Sequence, residues 1–220
     1  MLLSMNVIEL FSSIDGEGKR QGFLTTFLRL HDCNIRCSYC DTLYSYGPEN
    51  TFESMSVQAV ADVIEQLENH RITITGGEPL LQEPAIIELI DELTRRNARY
   101  DFNIETNGTI IPSFHRDNVW FTYDYKTPSS LAEDAMNLDI FKVATPADII
   151  KFVVGSMQDL DRMDEILKTY PTDAQIFVSP VWGNIEGATI IEYMKAHNWQ
   201  NVRFQLQIHK FIWDPDAKGV

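Results

Sequence analysis

Cysteine is scarce in this 220-residue chain, and the few cysteines that occur lie close together. There are only three, Cys33, Cys37 and Cys40, all within one short segment. An odd number of thiols at such short spacing excludes a framework of disulfides. In a reducing compartment, clustered thiols usually bind metal. The sequence therefore predicts one metal-binding loop.

Positive charge and long apolar runs are also lacking. Aspartate and glutamate outnumber lysine and arginine by 32 to 18, which gives a net charge of −14. Because an acidic chain repels phosphate backbones and anionic lipids, we expect no nucleic-acid partner and no membrane partner. No apolar run approaches the roughly 20 residues that a bilayer span needs. Residues 1–10 contain no basic residue, so we expect no signal peptide and a cytoplasmic location.

Strand-like and helix-like segments alternate about every 25–30 residues, which is typical of βαβ units around a parallel sheet. The predicted strands are Phe23–Leu30, Arg71–Thr75, Asp101–Glu105, Val119–Tyr123, Ile150–Val154, Gln175–Ser179 and Val202–Gln207. The predicted helices are Val57–Asn69, Pro84–Arg96, Gln158–Thr169 and Glu186–His197. Roughly six such units fit, against about eight in a closed barrel. Since no repeat or flexible linker divides the chain, we expect one α/β domain over residues 1–220, folded as a partial (β/α)6 TIM-like barrel.

Residues that are suited to catalysis or ligand binding follow the ends of the predicted strands. They are the cysteines, Gly76–Pro79, Glu105–Gly108, Lys126 and Ser179–Pro180. Parallel α/β proteins place their sites at this end of the strands. We therefore expect these residues to face one site.

The spacing Cys33-x3-Cys37-x2-Cys40 suits a 4Fe–4S cluster. Such a cluster normally takes four cysteine ligands, and the chain has no fourth cysteine. One iron would therefore be open to a substrate or cofactor. The alternative is a structural zinc site of three cysteines and one histidine, completed by His31 or a distant histidine. Zinc sites usually divide their ligands into two separated pairs, and the sequence contains no second pair.

With the aromatic Tyr39 before its last cysteine, this loop resembles the signature of the radical S-adenosylmethionine (SAM) enzymes. Thr75-Gly76-Gly77-Glu78-Pro79 resembles a second motif of that superfamily, a glycine-rich turn beside the methionine end of the cofactor. The resemblance implies a partial barrel of the radical SAM type and a 4Fe–4S cluster whose open iron is chelated by SAM. It also implies that reductive cleavage of SAM gives a 5′-deoxyadenosyl radical, which takes hydrogen from the substrate.

Further segments resemble one family of that superfamily, the 7-carboxy-7-deazaguanine synthases. They are Ile14–Gly18, Phe27-x-Arg29, Cys40-Asp41-Thr42, Glu105–Gly108, Lys126-Thr127-Pro128 and Gln207-x-His209-Lys210. The resemblance implies a lyase of queuosine-type deazapurine biosynthesis. Such enzymes contract 6-carboxy-5,6,7,8-tetrahydropterin to 7-carboxy-7-deazaguanine and release ammonia. The implied cofactors and partners are the cluster, SAM, Mg²⁺, an electron donor such as flavodoxin or ferredoxin, and a second copy in a homodimer.

The same resemblance assigns roles to individual residues. Arg29 has the planar fork that grips a carboxylate in two bonds. The hydroxyl of Thr42 suits Mg²⁺, and Asp41 is placed to hold the water ligands of that ion. The other substrate-binding candidates are Ile14, Asp15, Gly16, Thr75 and His209, the last of which is expected to reach the substrate from the last strand. The SAM-binding candidates are Tyr39, Gly77, Glu105, Asp124, Tyr125 and Lys126, and no general base is assigned.

Two alternatives remain open from the sequence. A glycyl-radical activating enzyme shares the loop of three cysteines, but its substrate is a protein backbone. It needs neither the Ile14–Gly18 turn, nor Arg29, nor a magnesium-binding Thr42. The second alternative is not an enzyme but a binding module stabilised by zinc.

Overall fold

The computed structural model describes residues 3–46, 51–215 and 217–220. Its strands are β1 (Ser4–Ile14), β2 (Leu24–Leu30), β3 (Glu53–Ser56), β4 (Arg71–Gly76), β5 (Asp101–Thr106), β6 (Val119–Lys126), β7 (Ile149–Val154), β8 (Gln175–Pro180) and β9 (Val202–Phe204). Its helices are α1 (Val57–Gln66), α2 (Glu83–Arg96), α3 (Ile140–Val143), α4 (Met157–Thr169), α5 (Gly187–Ala196) and α6 (His209–Ile212). Among the described residues, no helix is long and apolar enough to span a bilayer.

The strands form one nine-stranded sheet in the order β3-β1-β2-β4-β5-β6-β7-β8-β9. β1 runs antiparallel to both of its neighbours, whereas β2 and β4 to β9 are parallel. The turn after β1 meets the segment after β9, since Gly18 N donates to Gln205 Oε1 at 2.8 Å and Gln21 Nε2 donates to the carbonyl of Leu206 at 2.6 Å. The sheet therefore curves until its distant parts touch, which confirms the predicted partial α/β barrel.

The two faces of the parallel strands have opposite chemistry. Successive side chains of a strand point to opposite faces. One set belongs to the hydrophobic core and includes Ile72, Ile74, Phe102, Ile104, Phe121, Tyr123, Ile150 and Phe152. The alternate set is polar and includes Thr73, Thr75, Asn103, Glu105, Thr122, Asp124 and Lys151. The outer face packs against the helices, so the polar side chains are left to line the inside of the barrel.

Local signals fix several helix starts. The Ser56 side chain caps α1 by accepting from Ala59 N, and Ser156 caps α4 by accepting from Asp159 N. Such caps satisfy backbone donors of the first turn. Pro84 lies in the first turn of α2, where its missing N–H costs no hydrogen bond. α1 therefore begins at Val57, as the sequence predicted, and α2 begins at Glu83, one residue before the predicted start at Pro84.

The structure departs from the predicted elements at a few places. Strands β1 and β3 were not predicted. β1 pairs with β2 across the turn at residues 15–23, where the sequence analysis identified only a binding motif, and β3 pairs with β1 from residues 53–56, far along the chain. The strand predicted over Val202–Gln207 ends at Phe204, since Gln205 and Gln207 turn inward to contact Glu17. The predicted helix Val57–Asn69 ends at Gln66, where Glu68 adopts a positive φ of 54°.

Candidate active site

One cavity, with a volume of about 260 Å³, opens at the carboxyl ends of the parallel strands. It is lined by nearly all of the predicted site residues: Ile14, Asp15, Gly16, Arg29, Cys33, Cys37, Tyr39, Cys40, Asp41, Thr42, Thr75, Gly77, Glu105, Asp124, Lys126 and His209. Tyr125 is the exception. The parallel topology therefore gathers motifs that lie far apart in the sequence into one site.

The loops after β2 and β4 pack tightly against each other. Gly77 N donates to the carbonyl of Leu30 at 3.2 Å, and Glu78 N donates to that of Asp32 at 2.8 Å. A Cβ at position 77 would lie 1.9 Å from the Asp32 carbonyl oxygen and 2.9 Å from the Cβ of Cys33. Only glycine lets the two loops approach so closely, so the glycine-rich turn and the cysteine loop form one structural unit.

The three thiols fit a cluster better than a single ion. All three are free, half-buried and on the wall of the same cavity. Within the described part of the chain, no three His, Cys, Asp or Glu side chains are placed to hold one metal ion. Burial raises the pKa of Cys33 and raises that of Cys37 to about 11. A bound cation would reverse this effect, because metal coordination deprotonates a thiol.

Arg29 reaches the cavity from the end of β2, and contacts with Glu9 and Tyr44 hold its side chain in place. Its Nε donates to Glu9 Oε2 at 3.1 Å, and the Tyr44 hydroxyl donates to the same carboxylate oxygen at 3.1 Å. The guanidinium also lies 5.8 Å from the centre of the Tyr44 ring. Glu9 and Tyr44 thus fix the orientation of the arginine fork at the cavity wall.

Thr42 and Asp41 form a small oxygen cluster beside the last cysteine. Thr42 Oγ1 donates to Asp41 Oδ1 at 2.9 Å, and Lys210 Nζ lies 3.8 Å from Asp41 Oδ2. Burial alone would raise the pKa of Asp41, but Lys210 and the Thr42 hydroxyl outweigh it, and the pKa falls below its ordinary value. The pair therefore offers an ionised carboxylate and a hydroxyl, oxygens of the kind that Mg²⁺ prefers.

Asp15 lines the cavity but is occupied by the protein itself. Its carboxylate accepts from Arg20 Nε at 3.2 Å and from Thr73 Oγ1 at 3.3 Å. Its backbone N donates to the carbonyl of Phe23, and its own carbonyl accepts from Gly22 N, both at 2.8 Å. Asp15 thus shapes the turn that presents Ile14 and Gly16 to the cavity, and it has little remaining capacity to bind a substrate itself.

His209 reaches the cavity from α6 and not from the last strand, which corrects the expected position. It is the first residue of that short helix, and its ring packs on Gly16. A Cβ at position 16 would lie 2.0 Å from His209 Nδ1. Burial lowers the pKa of His209, so the imidazole is neutral at neutral pH.

Tyr125 lies on the opposite face of β6 from Asp124 and Lys126. Its ring packs on Phe152 in the core, and its hydroxyl donates to Glu133 Oε1 at 2.9 Å. Because side chains alternate along a strand, the segment Asp124–Lys126 sends only its two outer residues into the cavity. The predicted contact of Tyr125 with SAM could involve only its backbone.

A buried charge network, which sequence reasoning missed, forms the floor of the cavity. Lys151 Nζ lies 3.2 Å from Glu17 Oε2 and 3.5 Å from Asp124 Oδ2, and Lys126 Nζ lies 3.2 Å from Asp124 Oδ1. The pKa of Lys151 is raised well above its usual range, because its carboxylate neighbours outweigh the effect of burial. Lys151 is the only charged residue in the apolar strand IIKFVV, a signal that could have identified it.

Glu105 lies at the edge of this network. It accepts from Thr75 Oγ1 at 3.3 Å and from Asn103 Nδ2 at 3.5 Å. Burial raises its pKa to about 7; Lys151 opposes this shift, whereas Asp15, Glu17 and Asp124 add to it. Protonation of the Glu105 carboxyl therefore falls in the neutral pH range, which allows it to accept or donate a hydrogen bond.

Comparison with known sequences identifies the relatives of this chain. The Radical SAM superfamily profile matches residues 29–164. A 7-carboxy-7-deazaguanine synthase of Clostridium acetobutylicum is 37% identical, over 99% of this chain and 100% of its own length. Synthases of the same name from Methanospirillum hungatei and Leptospira interrogans are each 36% identical, over 96% and 99% of this chain and over 86% and 99% of their own lengths.

A solved structure has the same fold. The crystal structure of QueE from Escherichia coli superimposes with a TM-score of 0.69 and covers 92% of this chain and 93% of its own. The two sequences are 24% identical. This match concerns the fold, and it agrees with the partial barrel described above.

Proposed function

The chain belongs to the radical SAM superfamily and, within it, to the 7-carboxy-7-deazaguanine synthases. From this premise we propose how the residues of its cavity support the ring contraction of a carboxylated tetrahydropterin. As a member of this family it is a radical SAM lyase with a 4Fe–4S cluster and SAM as cofactors. The observation that carries the proposal is one shared cavity for the three cysteines, the Gly77 turn, Arg29 and the Asp41–Thr42 pair. Neither alternative reading of the sequence requires that combination.

Cys33, Cys37 and Cys40 would hold the cluster, and Gly77 would let the backbone approach the methionine end of SAM. When bound, the reduced cluster and SAM supply a 5′-deoxyadenosyl radical. Tyr39, Lys126 and Glu105 line the neighbouring wall. Tyr39 is held there by its hydroxyl, which donates to the carbonyl of Val153 at 3.3 Å. These side chains would fix the cofactor, while the cofactor itself carries the difficult chemistry.

The substrate would be 6-carboxy-5,6,7,8-tetrahydropterin, anchored by its carboxylate. Arg29, oriented by Glu9, would bind that carboxylate directly. The Thr42 hydroxyl, together with waters held by Asp41, would hold Mg²⁺, which would supply a further positive charge for that carboxylate. This arrangement holds the carbon that bears the carboxylate beside the cofactor, and such positioning is the main contribution of the protein.

The remaining contacts would read the pterin ring. Ile14, Gly16 and Thr75 line the cavity, and the neutral His209 can accept or donate a hydrogen bond. Glu105, with its pKa near 7, can donate to a ring acceptor or accept from a ring N–H. Ring contraction releases ammonia, and residues of this kind would hold the ring still while bonds rearrange.

Several broader properties belong to the same proposal. We place the whole chain in one domain over residues 1–220, in the cytoplasm, with an electron donor such as flavodoxin or ferredoxin and a second copy as a homodimer. The net charge of −14 supports the absence of nucleic-acid and membrane partners.

The function is tested by anaerobic turnover. The protein, reconstituted with iron and sulfide, is mixed with 6-carboxytetrahydropterin, SAM, Mg²⁺ and dithionite, and the products are analysed by mass spectrometry. We expect 7-carboxy-7-deazaguanine and about four irons per chain, as one 4Fe–4S cluster requires. Formation of 5′-deoxyadenosine without that product would refute the substrate. One zinc per chain and no cofactor cleavage would favour the binding module.

A further inference from the structure

Asn107 lies against the sulfur of the first cysteine, and no role has been assigned to it above. Its Nδ2 is 3.7 Å from Cys33 Sγ, within the usual range for an N–H···S hydrogen bond. The residue follows β5 and its side chain is largely buried. We propose that Asn107 tunes the reduction potential of the cluster through this hydrogen bond, an inference that rests on the proposed role of Cys33 as a cluster ligand.

The orientation of the Asn107 amide is fixed by its neighbours. Its Oδ1 accepts from Thr109 N at 3.0 Å and from Thr109 Oγ1 at 2.7 Å. The opposite end, Nδ2, also donates to Asn34 Oδ1 at 2.8 Å, and Asn34 Nδ2 in turn donates to Thr109 Oγ1 at 2.8 Å. A flipped amide would place an oxygen against Asn34 Oδ1 and lose both bonds from Thr109. The closed ring of contacts therefore keeps the amide N–H groups on the sulfur side.

The backbone of Asn107 is held by a buried carboxylate from the glycine-rich turn. Glu78 is fully buried and accepts from Asn107 N at 2.7 Å, from Thr106 Oγ1 at 2.9 Å and from Leu80 N at 2.9 Å. Glu78 thus ties the loop after β5 to the loop after β4, which itself packs on the cysteine loop. Asn107 is a positioning residue whose side chain is directed at a ligand atom.

The expected effect follows from charge. Reduction adds one electron to the cluster and its thiolates, so a donor at a cysteine sulfur stabilises the reduced form more than the oxidised form. Hydrogen bonds to the sulfurs are among the factors that set cluster potentials. Removing the amide should therefore make the potential more negative.

The test is a redox titration of the reconstituted cluster in the absence of SAM and pterin. Electron paramagnetic resonance measures the fraction of reduced cluster at each potential. In Asn107→Ala we expect the ratio of reduced to oxidised cluster at a fixed potential to fall about threefold to tenfold; a tenfold change equals about 59 mV for one electron. Asn107→Asp keeps the oxygen that faces Thr109 but replaces the donor by a charged acceptor, so its shift should be larger in the same direction.

Asn34→Ala is the matched control. It breaks the same ring of contacts in the cysteine loop but leaves the Asn107 amide beside the sulfur, so its potential should equal that of the native protein. Equal shifts in Asn34→Ala and Asn107→Ala would reduce Asn107 to a structural support and overturn the proposal. So would native potentials in both Asn107 variants, or the failure of both to assemble a cluster.

This experiment is independent of the pterin. A native protein that holds and reduces its cluster but does not turn over the pterin would refute the proposed substrate and leave the Asn107 proposal standing. A native protein that holds no iron would remove the premise of both.

Discussion

At the scale of single residues, substitution of Thr42 should affect turnover of the pterin but not cleavage of SAM. Thr42→Ala removes the hydroxyl that faces Asp41 and would ligate Mg²⁺. We expect pterin turnover to fall and the Mg²⁺ concentration needed for half-maximal turnover to rise about 10–100-fold. SAM cleavage to 5′-deoxyadenosine should persist, and Thr42→Ser should retain turnover because the hydroxyl is kept. If Thr42→Ala turned over the pterin at the native rate and with the native Mg²⁺ requirement, Thr42 would not be a ligand of Mg²⁺.

At Gly16 the lack of a side chain lets the His209 ring pack closely against the backbone. In Gly16→Ala the new Cβ would lie 2.0 Å from His209 Nδ1, so His209 and α6 must move away. We expect KM for the pterin to rise and unfolding free energy to fall by about 1–3 kcal/mol, as in other overpacked sites. Gly155→Ala is the control, since its Cβ would meet its nearest atoms at 3.4 Å. Steady-state kinetics measure KM, and urea unfolding measures stability. An unchanged KM would show that His209 does not contribute to binding of the pterin.

Glu105 makes the stability of the apoprotein depend on pH. Its pKa is about 7 in the folded protein, against an ordinary value of 4.5, chiefly because the carboxylate is buried. The folded state therefore binds this proton more tightly, and the stability associated with it is lost as pH rises from about 4.5 through 7. Glu105→Gln should be more stable than the native protein at pH 8.5, by roughly 1–3 kcal/mol, with a smaller advantage at pH 5.5. Urea unfolding at both pH values measures this; an advantage that does not change with pH would contradict the shifted pKa.

At the scale of secondary-structure elements, Arg20 ties the turn after β1 to the starts of the neighbouring strands. Its guanidinium is buried and contacts Asp15 at 3.2 Å, Asp101 at 3.0 Å and the carbonyl of Ile72 at 2.8 Å. Arg20→Ala leaves Asp15 buried without its partner. We expect a loss of about 3–5 kcal/mol in unfolding free energy, the usual cost of breaking a buried ion pair.

The control for Arg20 is an exposed ion pair. Arg95 contacts Glu92 at 2.8 Å, but its side chain is 71% exposed, so Arg95→Ala should change stability by no more than about 0.5 kcal/mol. Replacing Arg20 and Asp15 together by Met and Asn should recover part of the loss, because no buried charge is then left without a partner. Equal losses in Arg20→Ala and Arg95→Ala would show that the buried pair does not hold the turn in place.

Elements with strong local signals were predictable from the sequence. The helix that begins at Val57, after the Ser56 cap, and the strand that ends at Gly76 each carry a cap or a break that acts over a few residues. The pairing of β1 with β3 was not predictable in this way, because β3 lies beyond the cysteine loop. The position of His209 also depended on tertiary contacts, since the inward turn of Gln205 and Gln207 toward Glu17 ends β9 early.

At the scale of the whole molecule, the curved sheet brings the motifs together. Arg29 lies near the end of β2, the cysteine loop follows β2, and the Gly77 turn follows the neighbouring strand β4, so their proximity could be inferred from the parallel order alone. The contact of Glu17 with Lys151 could not, because it requires the turn after β1 to meet β7, at the other side of the barrel. The sequence therefore predicted which motifs share the site. It could not predict the buried charge network, because that network depends on the curvature of the barrel.

The central claim is that this cavity holds the carboxylate-bearing carbon of the pterin beside SAM. The most direct test is one anaerobic reaction with substrate deuterated at that carbon, followed by mass spectrometry of 5′-deoxyadenosine and of the deazaguanine product. The account predicts deuterium in 5′-deoxyadenosine together with 7-carboxy-7-deazaguanine. Unlabelled 5′-deoxyadenosine, with or without that product, would contradict it.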